Sequence, residues 1–183
     1  MKRFVSVVLP IVLVLCCVFG TSSAKMVKTF STYYYRLYIP SDWTIDTSSA
    51  NDRYGALSFG HMYSSDKRML IEAKLFFYSD WAKISLWNSP KELWDGYLEF
   101  LLNDFKDENP TYIDNVIAGK YPAAIITGTN TYGPYLYGEI MLNANAFGFY
   151  FYRLDEMGNV DPSITQDDIN LFKNIIETFS PTY

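Results

Sequence analysis

The sequence predicts an α+β fold, an α/β/α sandwich in which a mainly antiparallel sheet of about six or seven strands is flanked by two main helices. Short runs of alternating apolar and polar residues follow one another with tight turn chemistry between them. Two other segments carry apolar residues at helical spacing behind recognisable caps. No repeat of 20 to 50 residues recurs and no Gly, Pro or Ser-rich linker divides the chain, so residues 32–183 read as one domain.

The first elements are not part of that domain. Lys2 and Arg3 precede an apolar run over residues 4–19, followed by a polar Gly-Thr-Ser-Ser-Ala. The run is shorter than the roughly 20 residues that span a bilayer, and Ser22-Ser23-Ala24 has the small-x-small form of a signal-peptidase site. Residues 1–24 therefore read as a signal peptide cleaved after Ala24, with 25–31 a flexible lead-in, and the mature chain as exported without membrane insertion. The competing reading is a lipoprotein anchored through Cys16 or Cys17, although Leu15, not a small residue, precedes Cys16.

In YYYRLYIPSDW, residues 33–43, Tyr33, Tyr35, Leu37 and Ile39 fall on one face of an extended chain. Pro40 ends that strand, and the Ser41-Asp42 turn delivers Trp43 to cover the core. Further strands are expected at 57–62, 69–78, 112–118, 121–129, 135–143 and 146–154, several joined by hairpin turns. The first helix opens on the capping box Ser89-Pro90-Lys91-Glu92 and carries Trp94, Tyr97, Leu98, Leu101 and Phe105 on one face. The second opens on Thr165-Gln166-Asp167-Asp168, carries Ile169, Phe172, Ile175, Ile176 and Phe179, and is stopped by Pro181.

Composition excludes several function classes. The only two cysteines lie in the leader, so the mature chain offers no thiolate nucleophile, disulfide or cysteine metal site. Removing Lys2 and Arg3 from 15 basic residues leaves 13 against 20 acidic ones, a charge near −7 that argues against nucleic acid. A chain of about 159 residues is long enough to bury one core without staples.

Four segments carry a family likeness: YIPSDW at 38–43, SPKELW at 89–94, VIAGKYPAAIITGT at 116–129 and IIETFSP at 175–181. With the order strands, helix, antiparallel strands, helix, the mature chain resembles the PsbP and Mog1 superfamily over nearly its whole length. That resemblance implies an accessory protein docking on a larger assembly, with no shared active site. It transfers no residue of a manganese-cluster interface or of a GTPase-binding surface.

His61 is the lone histidine, and no G-x-S-x-G frame surrounds Ser58, Ser64 or Ser65. Glu72, Glu139, Asp114 and Asp155 are weighed as paired carboxylates for glycoside hydrolysis and read as solvated outward charges. The acidic loop 155–161 departs from the calcium-loop pattern. No catalytic residue, metal ligand or cofactor is therefore assigned. The 33 aromatic residues (4 Trp, 16 Tyr, 13 Phe) are the unusual feature. Phe147, Phe149 and Phe151 share one side of a strand, expected beneath a helix, and Tyr150 and Tyr152 share the other. The turn Thr131-Tyr132-Gly133-Pro134-Tyr135 is expected to expose Tyr132 and Tyr135, which with Trp81 and Trp87 form an aromatic rim. The leading expectation is a non-enzymatic exported module docking on an envelope protein. A carbohydrate or small apolar ligand binder comes second, and a hydrolase using acidic residues third.

Overall fold

The computed structural model describes residues 26–48, 51–53, 56–77, 91–119, 121–142 and 145–182. The expected leader, Trp81, Trp87 and the Ser89-Pro90 cap lie outside them. The α+β class is as expected. One sheet runs in the order β3-β5-β6-β10-β9-β8-β7, with β4 added against β5, and a small sheet runs β1-β2-β11. All paired strands are antiparallel.

The small sheet corrects two expectations. Residues 26–31 of the expected lead-in 25–31 are not loose, because β1 (Met26–Ser31) pairs with β2 (Tyr35–Pro40) and buries Phe30. Its polar residues mask the strand pattern, and Phe30 supplies the apolar anchor. Tyr33 does not join the buried face: it is 86% exposed, while Tyr35, Leu37 and Ile39 are fully buried. The Thr32 hydroxyl oxygen accepts the amides of Tyr34 and Tyr35, each at 3.1 Å, so a side-chain turn occupies 32–34 and alternation starts at Tyr35. Trp43 is buried after the Pro40 turn, as expected.

The large sheet contains β3 (Thr44–Asp46), β4 (Asn51–Arg53), β5 (Ala56–Tyr63) and β6 (Met69–Phe77). After α1 (Lys91–Asp104) come β7 (Thr111–Ala118), β8 (Tyr121–Asn130), β9 (Gly133–Leu142) and β10 (Asn145–Arg153). Because successive side chains alternate sides, each strand supplies two layers. On one side Ile71, Ala73, Leu75, Phe147, Phe149 and Phe151 form the main core. Helix α2 (Gln166–Glu177) lays Phe172, Ile175 and Ile176 over it, and Tyr35 of the small sheet packs against Phe147, Phe149 and Phe179 at 5.3, 5.6 and 5.3 Å between ring centres. Each such aromatic side chain withdrawn from water contributes about 2 to 3 kcal/mol. On the other side Leu101 of α1 and Phe105, just past its end, lie over Ala124, Ile126, Tyr135 and Tyr137.

Both helix predictions hold in type. α1 ends at Asp104, and a 3₁₀ turn at Lys106–Glu108 leads to Asn109 in a left-handed conformation. The α2 capping box is present: the Thr165 hydroxyl accepts the Asp168 amide, and the Asp168 carboxylate accepts the Thr165 amide. The same carboxylate takes Arg153 Nη1 at 2.8 and 2.9 Å, fixing α2 to the end of β10. The stripe ends earlier than the sequence suggests. Thr178 caps α2, and Pro181 is not a bare stop but part of β11 (Ser180–Pro181), an edge strand that tolerates proline. No helix among the described residues is long and apolar enough to cross a membrane.

Candidate functional site

The side of the sheet that carries α1 is polar where the other is apolar. Strand pairing aligns Asp46, His61, Glu72, Tyr150 and Tyr137 in one row across β3, β5, β6, β10 and β9. Helix α1 covers the β8–β9 end of this side. Toward β5 and β6 the same surface opens into a groove of about 610 Å³, among whose described lining residues none comes from α1.

His61, Tyr63, Glu72, Lys74 and Tyr152 form the groove floor, each placed there by the two-residue period of its strand. Glu72 is the centre: Oε1 lies 3.8 Å from His61 Nε2, and Oε2 lies 3.1 Å from Lys74 Nζ. Burial opposes ionisation of Glu72, but the adjoining His61 and Lys74 outweigh it and hold its pKa below the ordinary value. The Tyr63 hydroxyl meets His61 Nδ1 at 3.4 Å. Burial, with Asp46 and Glu72 nearby, raises the Tyr63 pKa, so the phenol stays neutral and can donate. Lys74 Nζ also stands 4.8 Å above the Tyr150 ring, which stacks on Tyr152. Burial pushes Tyr152 up to about 12, and its hydroxyl accepts a 3.0 Å bond from Asn130 Nδ2.

Two turns build the lip. In the β8–β9 turn, Asn130 Oδ1 accepts the amides of Tyr132 and Gly133 at 2.9 and 3.3 Å, which makes Thr131-Tyr132 the tip. Gly133 has φ 136°, and a Cβ there would meet Val160 Cγ1 at 2.8 Å, so glycine lets the two turns touch. The facing loop is closed by Asp155, whose carboxylate accepts the amides of Met157 and Asn159 at 2.8 Å and the Asn159 side chain at 3.1 Å. Those bonds lower its pKa, the Asn159 side chain first, and occupy the oxygens a calcium ion would need. Among the described residues no group of three or more potential metal ligands converges.

The expected aromatic rim is only partly present. Tyr132 stands at the lip, 78% exposed. Tyr135 is fully buried, which corrects the expectation that the turn displays both tyrosines. The reason is register: Gly133 and Pro134 already belong to β9, so Tyr135 points under Phe105 and donates to Glu108 Oε2 at 2.6 Å. Burial, reinforced by Glu108, raises its pKa. Trp81 and Trp87 lie outside the described residues.

The outward-charge reading of the carboxylates fails at Glu139, which is fully buried on β9 beneath α1. It accepts hydroxyl hydrogen bonds from Tyr97 of α1 and from Tyr137. Burial raises its pKa to about 7 against those two bonds, which pull it down. Opposite it on β10, Gly148 makes room: a Cβ there would lie 2.4 Å from the Tyr137 hydroxyl. Asp114 is instead a surface group, paired with Lys173 of α2. The groove assembly of Tyr63, Glu72, Lys74 and Tyr152 around His61 was not singled out from sequence. The available signal was that His61/Tyr63, Glu72/Lys74 and Tyr150/Tyr152 each share one strand face.

The fold defines an α+β domain with a mainly antiparallel sheet carrying an open polar groove. No protein-family profile matches the sequence, and comparison with curated proteins gives no match. Among solved structures, a crystal structure from Bacteroides thetaiotaomicron VPI-5482 is similar at 14% identity and TM-score 0.47, covering 86% of this chain and 49% of its own. The alignment thus spans about half the length of that chain.

Proposed function

We propose that this domain is an exported, non-enzymatic binding module that takes a short carbohydrate in the groove. The observation that carries the reading is the His61-Glu72-Lys74 cluster on the floor of an open groove, flanked by tyrosine rings. Such a floor offers hydroxyl groups both an acceptor and donors, and aromatic faces pack on the C–H faces of sugar rings. Hydrolysis is disfavoured by the same composition. Glycosidases work with two carboxyl groups across the bond, and Glu72 is the one carboxylate among the described lining residues. None of those residues is Ser, Thr or Cys. The leader supports export, and the element order supports the PsbP and Mog1 likeness.

Titration calorimetry of the mature protein against a panel of neutral and acidic oligosaccharides tests the reading. Glu72→Gln and Tyr132→Ala are each expected to weaken binding about tenfold, near 1.4 kcal/mol, with melting temperature unchanged for Tyr132→Ala. Millimolar oligosaccharides that give no heat, or variants that bind like the parent, would refute it. A second reading, docking of an envelope protein on the lip, draws on Tyr132 and Met157, 78% and 84% exposed. It predicts that Tyr132→Ala and Met157→Ala remove retention of that protein while sugars give no heat.

A further inference from the structure

The groove carries the opposite charge balance to the chain that contains it. The protein has a formal charge of −5, yet the groove is lined by Lys67 and Lys74 against Glu72 alone. Lys74 is already answered, since Glu72 Oε2 is 3.1 Å away and the Tyr150 ring lies beneath its ammonium. Lys67 is not answered. Among the described residues the ion pairs engage Arg68 with Glu156 and leave Lys67 with no carboxylate within 4.0 Å.

The turn between β5 and β6 makes this arrangement specific. Asp66, next in sequence, has its carboxylate drawn inward by the Ser64 hydroxyl at 2.7 Å and by the Arg68 amide at 3.0 Å. Those bonds lower its pKa, Ser64 first, and keep the charge on the turn's own backbone. Lys67 occupies the left-handed position of the turn, φ 58°, with its amide bonded to Ser64 O at 2.9 Å. The acid next in sequence is thus committed elsewhere, and among the described residues no carboxylate answers the lysine that borders the groove.

Resting on the carbohydrate reading, we infer that the bound sugar is acidic, a hexuronate unit whose carboxylate lies against Lys67 while its hydroxyls meet Glu72 and His61. One ammonium matches one carboxylate. A phosphate ester, with a charge of about −2 and three acceptor oxygens, is matched by several donors, and Arg68 on this turn is already paired with Glu156 at 2.7 Å. A cationic spot in an acidic protein also steers an anionic ligand to the groove and away from the remaining surface.

The test is calorimetry of the mature protein with oligomers of galacturonate, glucuronate and mannuronate, each as the free acid and as its methyl ester, with sodium acetate as competitor. Esterification removes the charge and keeps the sugar skeleton. At least one free acid should bind about threefold to fivefold more tightly than its ester, as one exposed ion pair allows. That preference should shrink in high salt, vanish in Lys67→Gln and invert in Lys67→Glu, with both variants melting like the parent. Equal binding of acid and ester by the parent would overturn the inference and leave the carbohydrate reading in place. Acetate competing as strongly per carboxylate as the oligomers would overturn it in favour of a plain anion site. Failure of every acid and ester to bind would overturn the inference, and failure of the neutral oligosaccharides as well would refute the carbohydrate reading.

Discussion

Replacing Glu139 by glutamine isolates the cost of a buried carboxylate. Glu139 is fully buried, and its pKa is raised from 4.5 to about 7. The sign follows from that direction. Between those values the folded state holds a proton that the unfolded chain has released, so stability falls as pH rises through the window and levels off above it. From pH 5 to pH 8 the loss works out at about 2 to 3 kcal/mol for this one group. Glutamine retains an acceptor for one tyrosine hydroxyl and can donate to the oxygen of the other, without titrating. Urea unfolding of the parent and Glu139→Gln at pH 5, 6, 7 and 8 should give curves whose separation changes by about 2 to 3 kcal/mol across the range, the variant being flatter. Groups common to both proteins cancel in the difference. The aspartates whose pKa values are lowered, Asp46, Asp66, Asp114, Asp155 and Asp161, contribute stability above 3.8 that is lost only in more acid solution, outside this window. Parallel parent and variant curves would refute the argument, because they would mean that Glu139 does not change its protonation on folding.

Two further changes probe the same framework. Gly148→Ala places a methyl group 2.4 Å from the Tyr137 hydroxyl and 2.8 Å from Phe76 Cε2. It should cost about 1 to 3 kcal/mol and do so less than additively with Glu139→Gln, as a double-mutant unfolding cycle would show. Asp168→Ala removes the side-chain half of the α2 capping box, keeping the Thr165 hydroxyl cap, and leaves Arg153 without its partner. A loss of about 2 kcal/mol of unfolding free energy is expected in urea denaturation, whereas a loss under about 0.5 kcal/mol would mean that the carboxylate's box bond and ion pair contribute little.

The local code was legible wherever period and cap agreed. The β6 alternation Met69, Ile71, Ala73, Leu75 against Glu72 and Lys74, the Thr165 box and the Phe147-Phe149-Phe151 face all appear where their spacing places them. What was not legible depended on partners far along the chain. Glu139 reads as an outward strand residue until Tyr97, 42 residues earlier, is seen to reach it from α1. Tyr135 reads as a turn residue until the Asn130 side chain is seen to move the turn tip two residues upstream. The groove was invisible for the same reason. Alternation assigns His61 and Glu72 each to a side of its own strand, but only the β5–β6 register brings them opposite each other.

The small sheet sets how the domain carries mechanical load. β1 enters opposite Pro40, at one end of β2, while β11 leaves opposite Tyr35 at the other, with Thr182 bonding onward to Tyr34 O at 3.0 Å. A pull between Met26 and Thr182 therefore acts along the strand axes. The β1–β2 and β2–β11 ladders resist it in shear, their hydrogen bonds sharing the force side by side instead of opening one after another like a zip. For a protein held at one end and loaded at the other, the outermost strands serve as a clasp, and the groove on the far side of the large sheet keeps its shape until that clasp slides.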